Sequence, residues 1–201
     1  MEEVTLSSKS EGRYNEKGST FSALAIPVSD VAEVKTNLHQ LKKQFPDASH
    51  ICYGYRVKEN DRLDEFATDA GEPKGSSGVP ILNVLKRKHL VNVVIFVIRY
   101  FGGSKLGIPG LINAYGTAAE KTIKNAKVKK WVQLKRISFV YNYDLQNKVD
   151  SVLQKFKVKI INTNFGASIQ VNWEVEVEET EALAQELSEI SNGAIRIKQV
   201  S

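Results

Sequence analysis

A very apolar strand between two glycine-rich loops constrains the fold of this chain more than any other feature. The strand occupies residues 91–98, and the loops occupy residues 68–80 and 99–110. A run this apolar is typical of a central strand that is buried on both faces. Dense glycine indicates a tight backbone path or close approach to another group. The order strand, glycine turn, helix also leaves free N–H groups of the kind that hold phosphates in proteins.

The positive charge of the chain is concentrated in the part that contains these loops. A chain of 201 residues with a net charge of +5 suggests one large or two small domains. Residues 1–130 contain 20 Lys and Arg against 14 Asp and Glu, whereas residues 131–201 contain 8 against 9. The surplus of positive charge in residues 1–130 is explained either by solvated helix faces or by an anionic partner such as RNA.

Several classes of protein are disfavoured by composition. The longest apolar run is far too short to cross a bilayer, and the acidic start of the chain lacks a signal-peptide core. A lone cysteine, Cys52, excludes an internal disulfide and a multi-cysteine zinc site. We therefore expect a cytoplasmic protein with no membrane partner, no metal and no cofactor.

Periodicity and capping signals predict a mixed α and β structure up to about residue 129. Residues 15–18 predict a hairpin turn, and Asp30 with Glu33 predicts a capping box that starts a helix. Further helices are expected to open at Pro80 and Pro109, because proline is favoured in the first helical turn.

From residue 130 the pattern restarts as strand, helix, strand, strand, helix, strand. This order predicts a ferredoxin-like βαββαβ domain over residues 130–201, after a first α+β domain over residues 1–129. Residues 167–177 alternate in polarity, the clearest strand signal in the chain. Asp144 and Thr180 are predicted to cap the two helices.

The loops also carry a long, ordered motif. It comprises Gly71-Glu72-Pro73, Gly75, Gly78, residues 80–82, residues 99–103, Leu106-Gly107, Gly110-Leu111 and Ala114-Tyr115, with residues 50–52 and 55–56 upstream. This pattern resembles the IMPACT family, also called the YigZ family, over about two thirds of the chain. Ala70, Lys74 and Pro109 depart from the residues that are usual in the family.

The resemblance implies both a fold and a process. It implies a first domain like the second domain of a small-subunit ribosomal protein, and a second domain similar to the last domain of elongation factor G. Eukaryotic members of the family modulate translation initiation by competing for a protein activator, although they carry a different accessory domain. The resemblance therefore implies a translation-associated protein.

The second loop is a candidate anion site. Arg99 and Lys105 supply charge, and the loop amides supply directed donors. The loop has neither the Gly-Lys-Ser/Thr of a P-loop nor a Rossmann fingerprint, and its glycines are equally compatible with a tight turn and close packing. The candidate nucleic-acid- or anion-binding residues are Arg99, Gly102, Gly103, Lys105, Gly107, Gly110, Lys74 and Ser76.

The first loop is interpreted mainly as structural. Two carboxylates, Asp69 and Glu72, could bind a metal or act as acid and base, but Glu72 could instead accept loop N–H groups or pair with Arg99. We favour the structural interpretation. The loop-structural residues are Asp69, Gly71, Glu72, Gly75 and Gly78.

His50 and Cys52 lie two apart on a predicted strand, so their side chains share a face roughly 6–7 Å apart. The pair could form a base and a nucleophile. A buried free cysteine is also a common core residue. We favour the packing interpretation.

These observations favour a non-enzymatic, monomeric, translation-associated regulatory protein that binds RNA or a ribosomal surface through the basic loop cleft. A protein partner in translation control remains open. The alternatives are a hydrolase or other enzyme that acts on a small phosphorylated or peptide substrate, and a protein–protein adaptor.

Overall fold

The computed structural model describes residues 2–59 and 62–200 and divides into two compact units. The first unit ends at Trp131 and the second begins at Val132. In these described stretches, no helix combines the length and the apolar character that crossing a membrane requires. Both units mix helices with antiparallel sheet, so the predicted α+β class is confirmed.

The first unit is built on a five-stranded antiparallel sheet. The strands of the unit as a whole are β1 (Val4–Leu6), β2 (Ser10–Glu16), β3 (Ser19–Pro27), β4 (His50–Glu59), β5 (Arg62–Thr68), β6 (Val93–Tyr100) and β7 (Val128–Lys130). The helices of the unit are α1 (Val31–Gln44), α2 (Gly78–Arg87) and α3 (Gly107–Lys124). The strand order of the large sheet is β2-β3-β6-β4-β5, and β1 pairs separately with β7.

Strand β6 is the middle strand, as its apolar sequence predicts. Its side chains from Val93 to Ile98 are fully buried. Odd-numbered positions such as Val97 join the core that includes residues of α2 and α3, and even-numbered positions such as Phe96 join the core that includes α1. Because each apolar side chain buried this way contributes roughly 1.5–3 kcal/mol, this strand anchors both layers.

The predicted hairpin turn and helix start are confirmed. Lys17 and Gly18 connect β2 to β3 with φ angles of 44° and 80°. The Asp30 carboxylate accepts the Glu33 N–H at 2.7 Å and caps α1. The Glu33 carboxylate accepts the N–H of Ser29 at 2.8 Å, one residue before the N-cap N–H that donates in a standard capping box.

The second unit is a four-stranded antiparallel sheet with two helices on one face. Its strands are β8 (Leu134–Tyr141), β9 (Lys159–Phe165), β10 (Ile169–Glu176) and β11 (Lys198–Gln199), and its helices are α4 (Gln146–Leu153) and α5 (Thr180–Ile190). The order β11-β8-β10-β9 and the βαββαβ succession are ferredoxin-like. Trp173 fills the core and meets the Phe139 ring edge-on, with 4.7 Å between centroids.

Both predicted helix caps in this unit are wrong. A 3₁₀ turn precedes each helix, and neither the Asp144 nor the Thr180 side chain accepts a capping N–H. Thr180 donates its hydroxyl to the carbonyl of Glu176 at 3.3 Å instead. The last strand is short, because only Lys198–Gln199 pairs with β8.

Candidate functional site

Arg99 lies at the end of β6, beneath the start of α3. Strand alternation places it on the same face as Val97, and its register neighbours are Phe21 on β3 and His50 on β4. The residue is 6% exposed. Its guanidinium carbon lies 5.4 Å from the Phe21 ring centroid and 5.5 Å from that of Phe101. Arg99 is thus a buried cation held between two aromatic rings.

The carboxylate of Glu72 neutralises this cation. Arg99 Nη1 lies 2.5 Å from Glu72 Oε1, and the Glu72 side chain is 4% exposed. The hydroxyl of Tyr115, from α3, donates to the same oxygen at 2.7 Å. Burial, together with Cys52 and Glu72, raises the pKa of Tyr115, so the phenol keeps the proton that it donates. One carboxylate therefore joins the first loop to β6 and α3.

Asp69 organises the first loop by accepting its amides. Its Oδ2 accepts Gly75 N–H at 2.7 Å, and its Oδ1 accepts the N–H groups of Ser77 and Gly78 at 3.0 and 2.9 Å. The Ser77 hydroxyl adds a bond of 2.8 Å. Burial acts to raise the pKa of Asp69, but these donors outweigh it and hold the pKa below its ordinary value. Asp69 thus caps the start of α2 with a built-in anion.

The first loop consequently has few groups left for a ligand. Ser76 has no exposed surface and donates its hydroxyl to Pro73 O at 2.6 Å, so this hydroxyl is used within the loop. Lys74 is exposed but does not line the cleft described below. A Cβ added at Gly71 would lie 3.3 Å from two atoms of the His50 ring, so a side chain there would crowd the ring.

The second loop is different, because the amides in its second half donate no hydrogen bond within the described residues. The Phe101 and Gly102 N–H groups donate to Ser49 Oγ and Ser19 Oγ, both at 3.1 Å, and these bonds hold the loop against the sheet. The next amides, at residues 103–106, donate to no acceptor within the described residues. Helix α3 then begins without a side-chain cap and without an acidic residue in its first turn. Its free N–H groups and its dipole favour an anion.

These groups converge on a cleft of about 280 Å³. Its lining residues are Glu72, Pro73, Arg99, Phe101, Lys105, Leu106, Gly107, Ile108 and Leu111. Four residues singled out from the sequence meet there, namely Glu72, Arg99, Lys105 and Gly107. Gly102 and Gly103 lie in the adjoining loop, and Gly110 lies within α3. The cleft combines apolar walls, two cations and one carboxylate.

His50 and Cys52 both bind the backbone of the first loop. His50 Nδ1 lies 2.9 Å from Ala70 O, and Cys52 Sγ lies 3.0 Å from Asp69 O. Cys52 has no exposed surface, and burial raises the pKa of its thiol to about 11. A nucleophilic cysteine needs access and a lowered pKa. The pair therefore supports loop packing, and the Cys52 thiol keeps its proton at neutral pH.

Among the described residues, no group of three or more His, Cys, Asp or Glu side chains could hold a metal ion.

Two domain families match the chain. Residues 17–123, more than half of the 201 residues, match the Impact N-terminal domain. The chain belongs to the IMPACT family. Residues 139–194 match a family described as a domain of unknown function (DUF1949). The predicted family membership is thereby confirmed.

Bacterial members of the IMPACT family are similar over most of their length. YvyE of Bacillus subtilis (strain 168) is 33% identical over 172 residues, which is 86% of this chain and 79% of YvyE. YigZ of Escherichia coli (strain K12) is 24% identical over 182 residues, 90% of this chain and 89% of YigZ. A crystal structure described as that of a hypothetical protein shares the fold, with a TM-score of 0.72 at 22% identity over 100% of this chain and 98% of that chain.

Tyr115 and Phe101 are site residues to which the sequence analysis assigns no role. Tyr115 is the polar member of an otherwise aliphatic helix stripe, a signal that a buried acceptor faces it. Phe101 follows a completed strand and precedes two glycines, which is an unusual place for an apolar ring that is 50% exposed. Each side chain is unusual for the segment in which it lies, and residues that break the local pattern often mark a functional site.

Proposed function

We propose that this IMPACT family protein regulates translation by binding RNA, free or on a ribosomal surface, through the cleft at the start of α3. The observation that carries the proposal is the row of unpaired amides at residues 103–106, which leads into an uncapped helix beside Lys105 and Arg99. Backbone N–H groups at a helix start, with nearby cations, are a common way to hold phosphate.

The charge of the cleft suits a polyanion. Glu72 neutralises Arg99, and Lys105 is exposed with no hydrogen bond or ion pair to the described residues. The uncapped end of an 18-residue helix adds roughly half a positive charge. Residues 1–130 carry 20 Lys and Arg against 14 Asp and Glu, so the part of the chain that contains the cleft has a net positive charge. Such a field raises the association rate of nucleic acid.

The link to translation is carried by the family. Two eukaryotic relatives, the yeast and rat IMPACT proteins, match about half of this chain. The family likeness supports a translation-regulatory role, because the resemblance to the IMPACT family implies a translation-associated protein. In this proposal the protein acts in the cytoplasm as a monomer, and its partner is RNA or the ribosome.

Salt dependence tests the proposal with a matched pair of variants. Lys105→Ala removes the cation of the cleft, and Lys148→Ala removes an exposed lysine of α4 in the second unit. The affinity of the full chain for short single-stranded RNA is measured across a range of salt concentrations. The slope of log K against log salt is negative, and each lost phosphate contact brings it closer to zero by about 0.7 for a single strand.

We expect Lys105→Ala to weaken RNA binding and to make the salt slope shallower by about 0.7. Lys148→Ala should leave the affinity and the slope unchanged. Equal effects of the two substitutions would mean that RNA is attracted by net charge without using the cleft. Absence of RNA binding by the wild-type chain would refute the proposal altogether.

Exposed apolar side chains favour a protein–protein adaptor as the second candidate. Val79 on α2 and Ile108 and Ile112 on α3 are 48%, 52% and 43% exposed. Grouped apolar residues at a surface often mark a protein-binding site. If the protein acts as an adaptor, Ile112→Ser would abolish capture of a protein partner while leaving RNA affinity within about twofold.

A further inference from the structure

The ring of Phe101 carries an inference that rests on the proposed RNA binding and deepens it. Phe101 is 50% exposed and lines the cleft beside Lys105 and Leu106. Its ring lies over the Arg99 guanidinium, 5.5 Å from the centroid, so the cation covers one side of the ring. An aromatic ring exposed this way offers a flat apolar surface to a ligand.

The ring is also held in place before any ligand arrives. The N–H of Phe101 donates to Ser49 Oγ, and that of Gly102 donates to Ser19 Oγ, each at 3.1 Å. These bonds tie the backbone on either side of the ring to the first residue of β3 and to the residue before β4. A platform fixed in advance loses little conformational entropy when something stacks on it.

A buried donor points to a ligand at the same place. Arg99 is 6% exposed, it lines the cleft, and its Nε has no hydrogen-bond partner among the residues that the structure describes. Unsatisfied donors on a buried cation are costly and rare. Together with the open amides of residues 103–106, Arg99 adds donor capacity directly behind the ring.

We propose that the cleft binds one unpaired nucleotide of a single-stranded RNA, with its base stacked on Phe101 and its phosphate on the amides that lead into α3. A base supplies the flat π-surface that the ring fits, and the adjacent phosphate supplies the anion that the amides fit. Bases within an RNA helix are stacked on one another and cannot reach such a ring. The ligand is therefore a single-stranded segment.

Abasic RNA distinguishes base stacking on Phe101 from electrostatic attraction of the phosphates alone. A short single-stranded RNA is compared with an abasic strand of the same length and phosphate count, using the full chain and its Phe101→Leu variant. Phe165→Leu is the matched control, because Phe165 lies on β9 in the second unit and is 68% exposed. Leucine keeps apolar bulk and removes the π-face, so the fold is preserved.

We expect wild type to bind the normal strand about 5- to 150-fold more tightly than the abasic strand, the range that corresponds to one stacked base. Phe101→Leu should lose most of that preference while binding abasic RNA as wild type does, and Phe165→Leu should keep the preference. Equal affinity of wild type for both strands, with Lys105→Ala still weakening both, would overturn the stacking inference and leave the charge-based proposal standing. Absence of binding to either strand would overturn both.

Discussion

Replacing Asp69 by Asn should destabilise the first loop far more than the same substitution would at an exposed aspartate. The carboxylate accepts three backbone amides, from Gly75, Ser77 and Gly78, and the Ser77 hydroxyl. Asparagine keeps one oxygen for the donors at the start of α2. Its NH₂ group would face the Gly75 N–H, which would lose its acceptor. Hydrogen bonds to a charged group contribute ~1.5–3 kcal/mol, and an unmet buried donor costs ~1–3 kcal/mol, so we expect a loss of ~2–4 kcal/mol.

Hydrogen exchange measures this loss locally. A change of ~2–4 kcal/mol corresponds to roughly 30- to 1,000-fold faster exchange over residues 69–78, with peptides of the second unit serving as an internal reference. Asp47→Asn is the matched control, because Asp47 is exposed and no hydrogen bond or ion pair to another described residue is made by its side chain. We expect it to change exchange by less than a factor of about two.

The same substitution predicts a pH dependence. The donors hold the pKa of Asp69 below its ordinary value, so its contribution to stability is present at neutral pH and is lost as pH falls through the folded-state pKa. Wild type and Asp69→Asn should therefore differ most at neutral pH and converge in acid. Unchanged exchange over residues 69–78 in the Asn variant at neutral pH would refute the reasoning.

Three further outcomes are expected. A Cβ at Gly102 would lie 1.9 Å from the carbonyl carbon of Gly18, so Gly102→Ala should push the second loop away from the β2–β3 hairpin. Gly103 has a φ of +84° and open space around it, so Gly103→Ala should lower the free energy of unfolding by only about 1–2 kcal/mol in thermal denaturation. Cys52 should react with a thiol reagent at neutral pH only after unfolding, since its pKa is about 11, and rapid labelling of the native protein would contradict this. Residues 130–201 expressed alone should give dispersed amide NMR signals, and a collapsed spectrum would argue against an independent unit.

The fold could be predicted where one physical signal dominates. The apolar run of β6 identifies a strand covered on both faces, and Asp30 identifies a helix start, because burial and capping act locally. The caps at Asp144 and Thr180 could not be placed correctly, since each helix begins after a 3₁₀ turn that shifts the cap position. Tertiary packing selects such turns, and the short polar side chains alone do not reveal them.

The site could be predicted only in part for the same reason. Alternation along β6 brings Arg99 to the face that the glycine loops border, so its place in the cleft follows from the sequence. That Tyr115 and Arg99 share one oxygen of Glu72 depends on α3 crossing the sheet at that point. The Asp69 clamp requires a loop that closes on itself, which spacing alone does not specify.

Amide mapping by NMR tests the central claim most directly. The full chain, labelled with ¹⁵N, is titrated with short single-stranded RNA, and the shift of each backbone N–H signal is followed. The account predicts that the largest, saturable changes fall on residues 103–108, where the amides are open and α3 begins, together with Phe101. Changes concentrated on the α1 face or in the second unit, with residues 103–108 unmoved, would contradict it.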